Sequence, residues 1–143
     1  MAASAQAAGP VSTVAFQARN TNERLVALKV PNLNLANVKT ANLVGSLAAW
    51  DLFTSSNGVS VIAKNRATGL CLDTNNGGTG TLVAARPCDG TLSQDWNLDV
   101  VSGGSFKMIR NSFTGKYLTK FNSNQPSLAG FNGSTNQHWI KTP

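Results

Sequence analysis

Three tryptophans set the frame of this chain. Trp50, Trp96 and Trp139 are its only ones, and they stand 46 and 43 residues apart. A matching segment precedes two of them: Asn65-Arg66-Ala67-Thr68-Gly69-Leu70-Cys71-Leu72 in the middle third and Asn111-Ser112-Phe113-Thr114-Gly115-Lys116-Tyr117-Leu118 in the last. The first third aligns as Asn20-Thr21-Asn22-Glu23-Arg24-Leu25-Val26-Ala27, keeping the asparagine without the Thr-Gly pair. These asparagines are 45 and 46 residues apart, in phase with the tryptophans. Self-similarity at a fixed period means one supersecondary unit used repeatedly, each copy completing its neighbours' core. The copies are expected over about 11–55, 56–102 and 103–143, after a flexible N-terminal segment 1–10.

Within a copy the signals are those of short strands. Val59 to Lys64 and Phe106 to Arg110 alternate apolar and polar residues, the period of a half-buried strand. The Asn-x-x-Thr-Gly segment is a turn, Leu70 to Asp73 the next strand, and residues 75–80 (NNGGTG) a loop. Thr81 to Ala85 is a further strand, Asp89-Gly90 a turn, and Asp95 to Val100 closes the copy. Four strands in each of three copies make twelve, and no stretch is long and periodic enough for a helix. Charged residues are only 13% of the chain, against about a quarter in ordinary domains. Asn, Ser, Thr and 13 glycines take their place, a composition that suits tight turns. The pattern predicts an all-β chain, a β-trefoil of three pseudo-repeats of four strands, as a single domain over 11–143. A three-bladed propeller is set aside because propellers begin at four blades.

The net charge is +6 with a pI near 9.8, which brings nucleic acid into consideration. The basic residues run from Arg19 to Lys141 without a cluster or arm, and the excess owes as much to having only six acids. That spread argues against a nucleic-acid footprint. Cys71 and Cys88 bound a short loop in a Gly/Asn-rich domain and read as a local disulfide, two buried thiols being the alternative. No apolar stretch approaches a membrane span. Met1 to Pro10 carries small residues with neither a basic nor a hydrophobic region, like the start of a mature secreted chain. The expected location is therefore outside the cell.

Gly69-Leu70-Cys71-Leu72-Asp73, then Arg86-Pro87-Cys88-Asp89-Gly90, then Ser93-Gln94-Asp95-Trp96 resembles the ricin B-type lectin repeat, marked by Gly-x-Cys-Leu-Asp, a second cysteine and Gln-x-Trp. The last third keeps Gly115-Lys116-Tyr117-Leu118 and Asn136-Gln137-His138-Trp139, with Tyr117 and Phe131 where the cysteines would stand. The first third ends in Ala48-Ala49-Trp50 and retains only the tryptophan. The resemblance spans about residues 11–142. It implies that Trp50, Trp96 and Trp139 face the core, with Leu70, Leu72, Leu82, Leu98, Leu118 and Leu128, and that an aromatic pair replaces the disulfide in the last copy.

A sugar site of this kind needs a carboxylate for vicinal hydroxyls, an amide beside it and an aromatic face for the ring. In the middle copy the resemblance makes Asp73 the binding aspartate, oriented by Gln94, with Ser93 where Asn is common and Asn75 and Asn76 nearby. The aromatic expected at Arg86 is missing; Arg86 instead covers a sugar face or binds an acidic glycan. In the last copy Asn136 and Gln137 fit, but Thr119 replaces the aspartate and Ala129 the aromatic. In the first, Leu28 takes the aspartate position. A trefoil that keeps its fold marks while its pockets wear resembles the lectin-like subunits of cytolethal-distending-type toxins, which implies toxin partner subunits.

Other classes fit less well. The single histidine, His138, has no base or nucleophile pattern around it, and the acids show neither paired-carboxylate nor metal-ligand spacing, so no catalytic residue, metal or cofactor is expected. A trefoil protease inhibitor would present a loop such as Pro31 to Asn42 or Phe121 to Ser127. A protein-binding assembly subunit would expose an apolar patch, sought at Leu33, Leu35 and Val38. The reading is a non-catalytic lectin-like domain that binds a glycan or cell-surface glycoconjugate at Asp73, Asn75, Asn76, Arg86, Ser93 and Gln94, with Asn136 and Gln137 as the remnant of a second site.

Overall fold

Alternation of apolar and polar residues produces short strands, and a computed structural model describes them for residues 9–74, 81–101 and 103–143. The first copy holds β1 (Ser12–Ala18), β2 (Arg24–Lys29), β3 (Ala36–Ala41) and β4 (Trp50–Thr54). The second holds β5 (Val61–Asn65), β6 (Cys71–Thr74), β7 (Val83–Arg86) and β8 (Trp96–Val100). The third holds β9 (Lys107–Asn111), β10 (Tyr117–Thr119), β11 (Ser127–Ala129) and β12 (Trp139–Thr142). A single 3-10 turn, at Ser46–Ala48, Leu92–Gln94 or Thr135–Gln137, leads into each tryptophan-bearing strand. Asn75 and Asn76, and all but the end of segment 1–10, lie outside the described residues.

All pairings are antiparallel. β1 pairs with β4 and β12, β5 with β4 and β8, and β9 with β8 and β12, which closes six strands into a ring without an edge. The hairpins β2–β3, β6–β7 and β10–β11 cap one end. This is the β-trefoil. The core lies where barrel and cap meet, built on Trp50, Trp96, Trp139, Phe16, Leu25, Leu72, Leu118 and Leu128. Each indole is buried, and its N–H donates to a cap-strand carbonyl: Trp50 to Leu25 (3.0 Å), Trp96 to Leu72 (2.9 Å) and Trp139 to Leu118 (3.0 Å). A buried indole left unbonded would be costly, so the three bonds tie cap to barrel.

Those bonds also fix the true equivalence of the copies and correct the first alignment. Leu25 matches Leu72 and Leu118, so Ala18, not Asn20, matches Asn65 and Asn111. Ala18 pairs with Trp139 as Asn65 pairs with Trp50 and Asn111 with Trp96. Thr21 then matches Thr68 and Thr114, and each hydroxyl accepts from the amide two residues on, Glu23, Leu70 and Lys116 (3.0, 3.2 and 3.1 Å). The first copy thus keeps the threonine and loses the asparagine. Asn20 misleads because it has a turn role of its own, at φ 66°, a backbone that asparagine tolerates. The aspartate slot of the first copy is consequently buried Val26, whereas Leu28 is exposed near the end of β2.

Three further expectations change. Leu82 is 45% exposed, on a bridge to Ser127 outside β7 rather than in the core. The proposed inhibitor loop Pro31 to Asn42 contains β3. The apolar patch sought in the first copy does not form: Leu33 is exposed, but Leu35 is half-buried and Val38 lies in the core.

Candidate functional site

The site begins with one glutamine. Gln94 ends the 3-10 turn before Trp96 and has no solvent exposure. Its Nε2 donates to Asp73 Oδ2 (3.0 Å) and to the Pro87 carbonyl (2.9 Å), and its Oε1 accepts from the Asp89 amide (2.9 Å). Every position on the amide but one lone pair is in use. Gln94, named with the site as the residue that orients Asp73, spans β6 and the segment after β7 and donates to the Asp73 carboxylate. Gln137 does the same in the last copy, donating to Thr119 Oγ1 (3.2 Å) and the Gly130 carbonyl (2.8 Å) and accepting from the Asn132 amide (3.2 Å). Gln137 too is fully buried. Both glutamines end a 3-10 turn with the side chain fully buried, which leaves them no surface for a ligand.

The clamp one residue away differs between the copies. In the middle, Cys71 and Cys88 are bonded with Cα atoms 5.1 Å apart, so the thiol alternative falls. In the last, Tyr117 and Phe131 pack edge to face with centroids 6.1 Å apart, the aromatic replacement expected there.

Asp73 lies on β6, only 4% exposed, at the floor of a cleft of about 530 Å³. Arg86 from β7, Asp89, Thr91, Leu92 and Ser93 line the walls. Asp89 Oδ1 accepts from the Thr91 hydroxyl (2.7 Å), which contacts the Ser93 hydroxyl (3.0 Å). Besides Gln94, Asp73 meets the Thr74 hydroxyl at 3.5 Å; a carboxylate has about four lone-pair sites, so acceptor capacity remains for a ligand. The other lining residue is Phe113, 56% exposed. It sits in the turn of the next copy, between β9 and β10, which Asn111 Oδ1 braces through the Phe113 and Thr114 amides (both 3.0 Å). The cleft therefore has an aromatic ring from a neighbouring repeat, although none stands at Arg86. Its only sequence signal was an apolar ring in a polar turn.

In the last copy a smaller cleft, about 350 Å³, is lined by Arg19, Asn20, Lys120, Phe121 and Asn136 among others. Asn136 reaches it and Gln137 does not. Lys120 is spent on Glu23 (3.5 Å) and the Ser123 carbonyl (2.9 Å). Arg19 lies 3.9 Å over the Phe106 ring and donates to His138 Nδ1 (2.9 Å). Burial first, and the Arg19 charge second, hold the His138 imidazole below its ordinary pKa, so it accepts as the neutral ring. Among the described residues no group of three His, Cys, Asp or Glu side chains is placed to hold a metal, and no helix is long and apolar enough to cross a membrane.

A family model described as ricin-type beta-trefoil lectin domain-like matches residues 48–127. No curated protein matches the chain by sequence. Among solved structures, a designed three-fold symmetric protein, ThreeFoil, superposes with a TM-score of 0.79 at 22% identity, over 92% of this chain and 98% of that one. The cytolethal distending toxin of Haemophilus ducreyi does so at 0.74 and 16%, over 92% and 83%. A Polyporus squamosus lectin bound to a human-type influenza-binding epitope gives 0.74 and 16%, over 91% of this chain and 48% of that one. At such identities the likeness establishes the fold alone.

Proposed function

The chain belongs to the ricin-type β-trefoil lectin domain-like family, and on that premise we propose that it is a non-catalytic glycan-binding module whose working site is the middle-copy cleft over Asp73. One observation carries the reading. The same glutamine brace closes on Asp73 in the middle copy and on Thr119 in the last, so the brace requires only a hydrogen-bond acceptor at that slot, and the first copy folds with Val26 there. Burying a carboxylate costs more than burying a hydroxyl. A charge kept there, beside an open cleft, fits a group that accepts from vicinal sugar hydroxyls. Phe113 offers the apolar face on which a pyranose stacks, and Ser93 and Arg86 flank it with polar groups. Arg86 extends the range to acidic sugars. Working at a cell surface suits the disulfide, which persists in oxidising compartments.

The test is a glycan array of neutral and sialylated sugars probed with the oxidised chain, Asp73→Thr and Phe113→Ala. Specific binding lost in Asp73→Thr and weakened in Phe113→Ala, with both variants folded, supports the site. Binding that survives Asp73→Thr removes it. A blank array from folded protein removes glycan binding altogether and directs attention to protein partners.

A further inference from the structure

The first copy departs from the others at the clamp. The residue preceding the leucine that receives the indole bond is Cys71 in the middle copy and Tyr117 in the last, each locked by a neighbour. In the first copy it is Arg24. Across the hairpin Arg24 pairs with Ala41, as Cys71 does with Arg86 and Tyr117 with Ala129. Two residues further on, where Cys88 and Phe131 complete their clamps, stands Leu43, 40% exposed. Neither a bond nor a ring pair closes over this position.

Arg24 instead lines a cleft of about 430 Å³ with Val14, Val44, Ser46, Ala48 and Arg66. It is half-buried, and its guanidinium has no hydrogen bond or ion pair among the described residues. Arg66 is committed to Asp51 (3.1 Å), which also accepts from the Thr13 hydroxyl (2.6 Å). Burial pushes the Asp51 carboxyl up, but the Thr13 and Arg66 hydrogen bonds and the Arg66 and Lys64 charges outweigh it and hold the group below its ordinary range. Asp51 is thus ionised and offsets Arg66. Glu23, the acid beside Arg24 in sequence, is occupied by Thr40 (2.8 Å) and Lys120 (3.5 Å). Arg24 thus stands without a hydrogen-bond or ion-pair partner among the described residues, against a wall of valine and alanine, with Thr142 and Pro143 lining the same cleft.

We propose that this cleft binds a carboxylate carried on a short apolar body. The guanidinium fork matches a carboxylate in two parallel hydrogen bonds, and the Val14, Val44 and Ala48 wall takes the hydrocarbon. A phosphate would bring more charge than one free arginine balances. The cleft shares no residue with the one over Asp73, so each proposal stands or falls alone.

The probes are hexanoate, its uncharged counterpart hexanamide, and a tetrapeptide ending in a leucine carboxylate, titrated into the full isotope-labelled chain and followed by amide NMR. Hexanoate saturates and shifts the Val44, Ser46 and Ala48 amides, while hexanamide does not. Arg24→Gln weakens hexanoate about tenfold or more, the loss of one charge-assisted pair, with the remaining spectrum unchanged. Val44→Asp, at a 74% exposed position, repels the probe without touching the core. A peptide that binds tighter than hexanoate identifies a protein chain end as the source, and a weaker one identifies a free small acid. Equal binding of hexanoate and hexanamide, full affinity in Arg24→Gln, or shifts scattered over other basic residues overturns the proposal.

Discussion

In the middle copy Gln94 joins Asp73, the Pro87 carbonyl and the Asp89 amide; in the last, Gln137 joins Thr119, the Gly130 carbonyl and the Asn132 amide. The bonds are the same three, and the clamps beside them occupy the same strand positions, one covalent and one aromatic. Where a copy keeps the brace and the clamp, these demand an acceptor and a contact; the first copy, with Val26 and Arg24 at those places, has neither. The brace and the clamp demand neither a charge nor a disulfide. What the middle copy carries beyond that demand is Asp73 and the cleft above it, and the contrast is what singles the cleft out.

The sharpest way to break this comparison is to remove the braces. Gln94→Leu leaves a buried carboxylate with only the Thr74 hydroxyl and two backbone groups without their partner, and is expected to cost about 4 kcal/mol in chemical denaturation, against about 2 kcal/mol for Gln137→Leu, where the abandoned side chain is neutral. Adding Asp73→Thr to Gln94→Leu should bring the two costs together; equal costs in the single variants would show that the Asp73 charge was never held by Gln94. Next come the clamps. Cys71→Ser with Cys88→Ser should cost about 3 kcal/mol, the entropy of a short closed loop, and Tyr117→Ala about 1 kcal/mol, the value of an aromatic pair. Denaturation midpoints of the two variants measure both.

The smallest effect is one of pH. His138 is neutral in the fold, with a pKa below its unfolded value of 6.5, so the unfolded chain binds more protons as the solution is acidified. Its contribution is complete above 6.5 and is lost as pH falls through the depressed folded value. The wild type should lose stability with acidification faster than His138→Gln, whose amide oxygen can still accept from Arg19. Parallel pH profiles would mean that the Arg19 bond does not favour the neutral ring.

Much of this was legible in the chain alone. The period of the tryptophans, the Gln-x-Trp and cysteine marks and the Tyr117–Phe131 replacement are properties of residue type at fixed spacing. Those properties carry a repeat architecture, because every copy must bury the same face against the same neighbours. The copy boundaries in the first third were harder, since the anchor there is Ala18, whose methyl group lacks the amide that marks the other copies, and Asn20 supplies a false match two residues later. Leu82 looks like a core leucine and is not, because the bridge that carries it lies outside β7.

Tertiary structure alone brought the residues of the two proposed sites together. Phe113 lies forty residues beyond Asp73 and shares a cleft with it only because the β9–β10 turn of one copy lies beside the β6–β7 hairpin of another. Arg24 has no hydrogen-bond or ion-pair partner among the described residues, at a position where the strand pairing of the other two copies shows a clamp. A sequence specifies which side chains are buried through local periodicity. Which exposed ones face a common space depends on contacts between distant segments, and those exist only once the ring of strands has closed.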